Sequence, residues 1–390
     1  MNARMRMVRF GQGACATAAF LSMIMLAPSL TRRLWVARLV VSELSLFLVA
    51  LPALAGLAAL GRAASQSPFR ALGAIALVTG LLPFAVTLPA YGARGRTFAA
   101  LEYATWGPSH APVERKTDLT MEPSRPDLRL DFYQGHGGGS RPLLIIVHGG
   151  SFSGGDKGEN RTESELLADA GYSVADVEYR LSPAARFPAA VQDVKCLAGR
   201  LRERAEEFRI DADRVAYLGR SAGGAIAIIA AYSAGDSRIP PACDVPDRPV
   251  SAMVSVYGPL DLEWGWRQRP FPDPIVGYRV LERYIGGTPS AMPDAYRLAS
   301  AVSWVGSSTP PTLLIHGTRD SLVSPHHVEL LTGAFLRKGL SAPRQLLVPF
   351  GDHGFDYHPG GLGEQLARAE ILEFLGRVLK PRALRIHPQQ

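Results

Sequence analysis

The sequence predicts an α/β fold, a mostly parallel sheet with helices on both faces, preceded by about three transmembrane helices. Three observations predict it. From residue 126 onward, short apolar, β-prone runs alternate with helical stretches, the rhythm of strands joined by crossover helices. One of those runs, Arg214 to Leu218, enters Gly219-Arg220-Ser221-Ala222-Gly223 and continues directly into an alanine- and isoleucine-rich helix. The first quarter of the chain is instead a set of apolar segments, each close to the ~20 residues that cross a bilayer core.

In chain order, Phe10 to Leu30 carries no charged side chain, Leu39 to Leu60 only Glu43, and Ala71 to Tyr91 none. Spans are therefore expected over 10–30, 39–60 and 71–91 within a membrane region of residues 1–95. Arg32, Arg33 and Arg38, Arg62 to Arg70, and Arg94 and Arg96 supply interfacial anchors at the span ends. A cleaved signal peptide is the rival reading of the first segment, although no Ala-x-Ala site closes it. Residues 96–125 read as a proline- and charge-bearing connector, 126–380 as the main domain and 381–390 as a tail. In the main domain, Leu128 to Tyr133 alternates as a half-exposed early strand. Strands follow near Leu143, Ser173, Val215, Val250, Thr312 and Gln345, with helices near Glu163, Pro188, Ala222, His326 and Glu364. Asp261 to Val305, rich in tryptophan, tyrosine and proline, is either a pocket wall or small lid, or a packed connector.

The residue types at the strand ends point to nucleophilic chemistry. A serine between two glycines fits a tight strand-to-helix turn that lifts its hydroxyl clear of the sheet, so Ser221 is the candidate nucleophile. Its bland reading is an N-cap in a glycine-bounded turn. The amide of Ala222 then lies at a positive helix end, and His148-Gly149-Gly150, after the apolar run Leu143 to Val147, offers two more amides with no side chain in the way. Gly149, Gly150 and Ala222 are thus the candidate oxyanion hole. A serine at neutral pH needs a base, and the base needs a carboxylate to orient it. Asp320, after the strand Thr312 to Gly317, is the candidate acid, and His353, after the strand Gln345 to Pro349, the candidate base. Among rivals, His316 reads as a locally bonded strand residue, His326 and His327 as solvent-facing helix openers, and Asp352 as a turn or cap residue. All three candidate catalytic residues lie beyond Arg96, so a chain starting there is expected to carry the activity alone.

With these residues in place, 127–379 resembles an α/β-hydrolase of the hormone-sensitive-lipase and acetyl-esterase type, also labelled alpha/beta-hydrolase-3 like carboxylesterase. Glu178-Tyr179-Arg180-Leu181-Ser182-Pro183, Phe187-Pro188-Ala189-Ala190, Asp193 and Tyr257-Gly258-Pro259-Leu260-Asp261-Leu262 carry the resemblance beyond the triad. It implies the α/β-hydrolase fold and the same roles for Ser221, Asp320, His353, Gly149, Gly150 and Ala222. Two departures bear on substrate preference: Ser151-Phe152 stands where many members have a third glycine and a bulkier aromatic, and Arg220 where an acidic residue is common.

The expectation is a membrane-anchored serine esterase or lipase that hydrolyses carboxylic esters through an acyl-enzyme. A peptidase or amidase on the same fold is the alternative, and a non-catalytic membrane-anchored binding protein a third reading. The expected partners are a small-molecule ester or lipid-like substrate and membrane lipids. No nucleic acid is expected, because the arginines behind the net charge of +7 form no stripe with interleaved aromatics. No cofactor or metal is implied, since phosphate loops, dinucleotide fingerprints and histidine-carboxylate metal spacings are absent. Cys15, Cys196 and Cys243 lack disulfide or metal spacing and leave the redox compartment open. The oligomeric state is open. Arginines flank both sides of the spans evenly, and the three that precede the first one favour a multi-pass plasma- or inner-membrane protein with an extracytoplasmic main domain.

Overall fold

The computed structural model describes residues 3–61 and 67–379; Arg62 and the 381–390 tail lie outside these residues. Eight strands form one sheet: β1 (Arg115–Thr120), β2 (Arg129–Tyr133), β3 (Arg141–Val147), β4 (Ser173–Val177), β5 (Ile210–Arg220), β6 (Ala252–Val256), β7 (Thr312–Gly317) and β8 (Arg344–Val348). Their order is β1-β2-β4-β3-β5-β6-β7-β8. β1 with β2 and β2 with β4 are antiparallel, and every later pair is parallel. The chain therefore has the α/β-hydrolase fold.

Strand β3 shows why an unbroken apolar run can be a strand. Leu143, Ile145 and Val147 enter the core on one face, and Leu144 and Ile146 the core on the other, so all five are buried. The first face is covered chiefly by α7 (Ala189–Glu203) and α8 (Ala222–Tyr232), and the second by α6 (Arg161–Asp169) and α13 (Leu362–Leu379). Between β6 and β7 lie α9 (Leu262–Arg267), α10 (Gly277–Ile285) and α11 (Pro293–Leu298), and α12 (His326–Arg337) joins β7 to β8.

Two expectations about the start of the sheet change. Arg115–Thr120, inside the stretch read as connector, pairs as β1 and follows the short helix α5 (Ala100–Ala104). Leu130 to Tyr133 is buried rather than half-exposed. Phe132 packs on Phe208 with ring centroids 4.7 Å apart, while Tyr133 enters the opposite core. A third correction concerns the cysteines: Cys196 of α7 and Cys243 are joined in a disulfide, with Cα atoms 5.4 Å apart. Their separation of 47 residues resembles no local disulfide motif and hid the pairing.

The N-terminal region is a bundle of α1 (Ala3–Leu26), α2 (Arg32–Glu43), a π-helical turn (Leu46–Ala50), α3 (Leu51–Leu60) and α4 (Pro68–Gly92). It does not contain three spanning helices. Among the described residues, α4 alone is a single helix long and apolar enough to cross a membrane. The expected 39–60 span is broken, because α2 and the helical stretch Leu46–Leu60 meet at 83°. The expected 10–30 span ends at Leu26, before Pro28, and α1 opens on Arg4, Arg6 and Arg9. The helices pack through small residues. A Cβ on Gly56 would lie 2.7 Å from Cys15 Sγ, and one on Gly80 2.8 Å from the backbone nitrogen of Ala50, so the backbones meet where no side chain fits.

Candidate active site

Ser221 sits between β5 and α8 with φ +51° and ψ −122°, a strained conformation for a residue with a Cβ. Its flanking glycines are sterically required. A Cβ on Gly219 would overlap the carbonyl of Gly223, and one on Gly223 the carbonyls of Val147 and His148. These contacts press the turn against the end of β3 and aim the Ser221 hydroxyl away from the sheet.

His353 Nε2 lies 2.8 Å from Ser221 Oγ, and His353 Nδ1 lies 2.8 Å from Asp320 Oδ2. Asp320 Oδ1 accepts the amides of Leu322 and Val323, both at 2.9 Å, and its Oδ2 also meets His316 Nε2 at 3.1 Å. Burial opposes ionisation of Asp320, but His353 and His316 outweigh it and hold the carboxyl well below the ordinary carboxylate range. For His353, burial disfavours the cation, yet the charge and hydrogen bond of Asp320 prevail and raise the imidazole above its ordinary value. The structure thus brings together Ser221, His353 and Asp320, from three loops at the carboxyl ends of β5, β8 and β7.

Gly149 and Gly150 lie beside Ser221 in the wall of one cavity. Ala222, at the start of α8, lines a smaller pocket on the other side of the serine. None of these three amides is used by a turn, loop or cap hydrogen bond among the described residues. His148, the histidine of this motif, is built into the wall: its ring stacks on Tyr179 with centroids 4.3 Å apart. Tyr179 donates from its hydroxyl to the carbonyls of His148 and Gly149 at 3.0 and 3.1 Å. Tyr179 therefore braces the His148-Gly149 turn at the end of β3, and its neighbour Arg180 is fixed by Asp193.

Arg220 is not a free cation in the site. Its guanidinium is clamped by Glu163 of α6 and by Asp356, whose other oxygen accepts the Tyr257 hydroxyl at 2.7 Å. Burial opposes its charge, but the two carboxylates more than compensate and raise it well above the ordinary guanidinium range. His327 is corrected from solvent-facing to buried. It lies against Trp264, and burial pushes its imidazole down to about 3, so it is neutral at physiological pH.

The larger cavity has a volume of about 660 Å³ and the smaller pocket about 70 Å³. Ile275, Val276 and Val280 face the larger one, so the Asp261 to Val305 stretch is a pocket wall. Arg32 and Trp35 of α2 face it too, and the Trp35 and His353 ring centroids are 6.4 Å apart. The neighbouring Arg38 pairs with Asp352, next to His353. These three residues were missed from the sequence, and they remove the basis for expecting a chain from Arg96 onward to be complete. Their only local signal was arginine near the end of an apolar segment, which is equally the mark of an interfacial anchor. Asp352 is also more than a turn residue, since its Oδ1 accepts from Ser321 and from the His353 amide.

Among the described residues, one group of potential metal ligands converges, Glu122 with Cys196 and Cys243, and the disulfide occupies both sulfurs.

The BD-FAE family model matches residues 130–335, just over half of the chain. Esterase LipC of Mycobacterium tuberculosis is 30% identical over 247 residues, covering 62% of this chain and 60% of LipC. Esterase LipQ of the same organism is 26% identical, covering 69% of this chain and 64% of LipQ. The chain spans about three-fifths of the length of these curated relatives. Among solved structures, esterase B from Lactobacillus rhamnosis matches with a TM-score of 0.61 and 22% identity, covering 75% of this chain and 94% of that one. At that identity the match speaks for the fold alone.

Proposed function

Since the chain belongs to the BD-FAE family, we propose that it is a membrane-anchored serine esterase acting on carboxylic esters through an acyl-enzyme. The observation that carries this reading is the unbroken run of short contacts from Ser221 Oγ through His353 to Asp320, facing a cavity edged by free backbone amides. Ser221 Oγ attacks the ester carbonyl carbon as its proton passes to His353 Nε2. Asp320 holds the ring in place and stabilises the imidazolium. The amides of Gly149, Gly150 and Ala222 receive the developing oxyanion. Collapse of the tetrahedral intermediate breaks the bond to the leaving oxygen, which takes the proton from His353 and departs as alcohol. A water then attacks the acyl-serine with His353 as base, and the acid leaves as Ser221 is regenerated.

The two pockets divide the ester. The pocket of about 70 Å³, lined by Phe152, Ala222, Pro259 and Leu281, suits a short acyl group, and the cavity of about 660 Å³ takes the larger alcohol part. Helix α4, with its exposed apolar side chains, serves as the anchor, and membrane lipids surround it. The Cys196–Cys243 disulfide favours an oxidising, extracytoplasmic setting for the sheet domain. In this reading the triad-bearing sheet domain begins at β1, and α2 adds Arg32 and Trp35 to the cavity wall. The test is labelling of the detergent-solubilised full chain with a fluorophosphonate, together with a panel of esters of graded acyl length. Labelling that disappears in Ser221→Ala, with the fastest turnover on short acyl chains, is expected. An unlabelled wild-type chain would refute the serine mechanism, and faster turnover of long-chain emulsions the short-acyl preference.

A further inference from the structure

Helix α2 leaves the axis of the following helix at 83° and lays one face on the loop that carries His353. Arg32 and Trp35 reach the catalytic cavity, Arg38 reaches Asp352, and Leu39 lies beside Gly354. Trp35 lies three residues from Arg32 and from Arg38 and four from Leu39, so these positions share one side of the helix. The opposite side, with Leu34, Val36 and Val40, is exposed.

Asp352 is the node of this contact. Its Oδ1 accepts the Ser321 amide and hydroxyl, both at 3.0 Å, and the His353 amide at 2.8 Å. One carboxylate oxygen therefore ties the residue after Asp320 to the backbone of His353, across the two loops whose side chains must meet. Its Oδ2 accepts from Arg38, with Nε at 2.9 Å and Nη2 on the same oxygen. Both partners are buried, 9% and 6% exposed at the side chain. A buried carboxylate left without a counter-charge is strongly disfavoured, and among the described residues Arg38, 314 positions earlier in the chain, is the cation in ion-pair contact with it, while Arg319 acts on it from farther off.

We propose that Arg38 is a positioning residue of the esterase site: it neutralises Asp352, and Asp352 clasps the Asp320 and His353 loops in register with Ser221. The N-terminal bundle thereby completes the active site, in addition to anchoring it. This inference rests on the esterase reading, because it concerns the alignment of that triad. A misplacement of about 1 Å in a reacting group can cost about 100-fold in rate, which sets the expected scale.

The test compares full-length wild type with R38M, R38K, D352N and R38M/D352N in detergent, using a short-chain p-nitrophenyl ester and the fluorophosphonate. R38M is expected to lower kcat and the labelling rate together, by about ten- to hundredfold, with KM within about twofold. Because both Arg38 nitrogens donate to a single oxygen, the point charge of lysine suffices, and R38K is expected to recover most of the loss. R38M/D352N is expected to be no slower than D352N, since Arg38 acts through Asp352. If R38M alone does not fold, that last comparison still reads the coupling. A folded R38M with unchanged kcat, an R38K as slow as R38M, or losses that multiply in the double variant would overturn the proposal while leaving the esterase reading intact. A wild-type chain that is not labelled would overturn both.

Discussion

In the sheet domain, Leu143 to Val147 are buried without remainder, whereas in α4 of the N-terminal bundle Ile75 and Val78 are 59% and 69% exposed. Both regions are rich in the same apolar residue types, yet one turns them inward and the other outward. At its helix contacts the bundle sets small residues, Gly11, Cys15, Gly56, Gly73 and Ala76, beside the larger Met25, Val49 and Leu60. In water, burial of large apolar side chains is the main driving force, and a core of Leu, Ile and Val results. On the proposed reading that α4 lies in a bilayer, that force is absent between the bundle's helices, and close backbone approach through small residues takes its place. Helix α2 belongs to neither pattern alone, because it sends Trp35 and Arg38 into the sheet domain and leaves Val36 and Val40 outside.

The largest expected effect separates chemistry from anchoring. Ser221→Ala should lower esterase turnover by about a millionfold, typical of a lost triad nucleophile, while membrane retention of the full chain stays unchanged. Turnover near wild type in the purified variant would remove Ser221 from the mechanism. Next, Asp320→Asn should cost about 10⁴-fold by favouring the wrong tautomer of His353. Asp352→Asn, which keeps an acceptor toward Ser321 and His353, should cost far less, so the reverse ranking in kcat would make Asp352 the acid.

A third experiment addresses the two solvents directly, with two similarly exposed side chains. Val78→Asp in α4 should raise the cost of membrane insertion by about 3 kcal/mol and release protein from the membrane fraction. Leu336→Asp on α12, 60% exposed in the native fold, should alter stability by less than about 0.5 kcal/mol in denaturant titration. Equal tolerance of both changes would mean that both surfaces face water. The smallest effect is on pH. The base must be neutral, and its neighbours raise the protonation point of His353 above its ordinary value. The rate should therefore fall on acidification at a higher pH than for a free imidazole. A kcat/KM profile that stays flat well below pH 6 would argue against His353 as base.

Much of the site was legible because its constraints are local. Gly219 and Gly223 are dictated by backbone contacts within the turn itself and with the end of β3, and Ser221 between them is where such a turn exposes a side chain. Asp320 and His353 follow consecutive apolar strands, and parallel pairing of β7 with β8 sets their loops side by side. The early strand was harder to place. Alternation in 128–133 resembles a half-exposed strand, and only the packing of Phe132 on Phe208 and the entry of Tyr133 into the opposite core make both of its faces interior. Apolar length overstated the spans for a related reason: hydropathy records composition over a window and is blind to the bend between Glu43 and Leu46.

By itself the sequence determined the α/β rhythm, the elbow at Ser221, the glycine pair at 149 and 150, and the apolar character of the first quarter. Each of these depends on steric or hydrophobic preferences expressed within about one element. The tertiary structure alone decided that Cys196 meets Cys243, that Arg220 is neutralised by Glu163 and Asp356, and that Arg38 reaches Asp352. Such pairs join positions that are tens to hundreds of residues apart, and nothing in either neighbourhood encodes the other. They form because strand order and helix direction bring two loops together, and burial then requires each charge placed there to find its opposite.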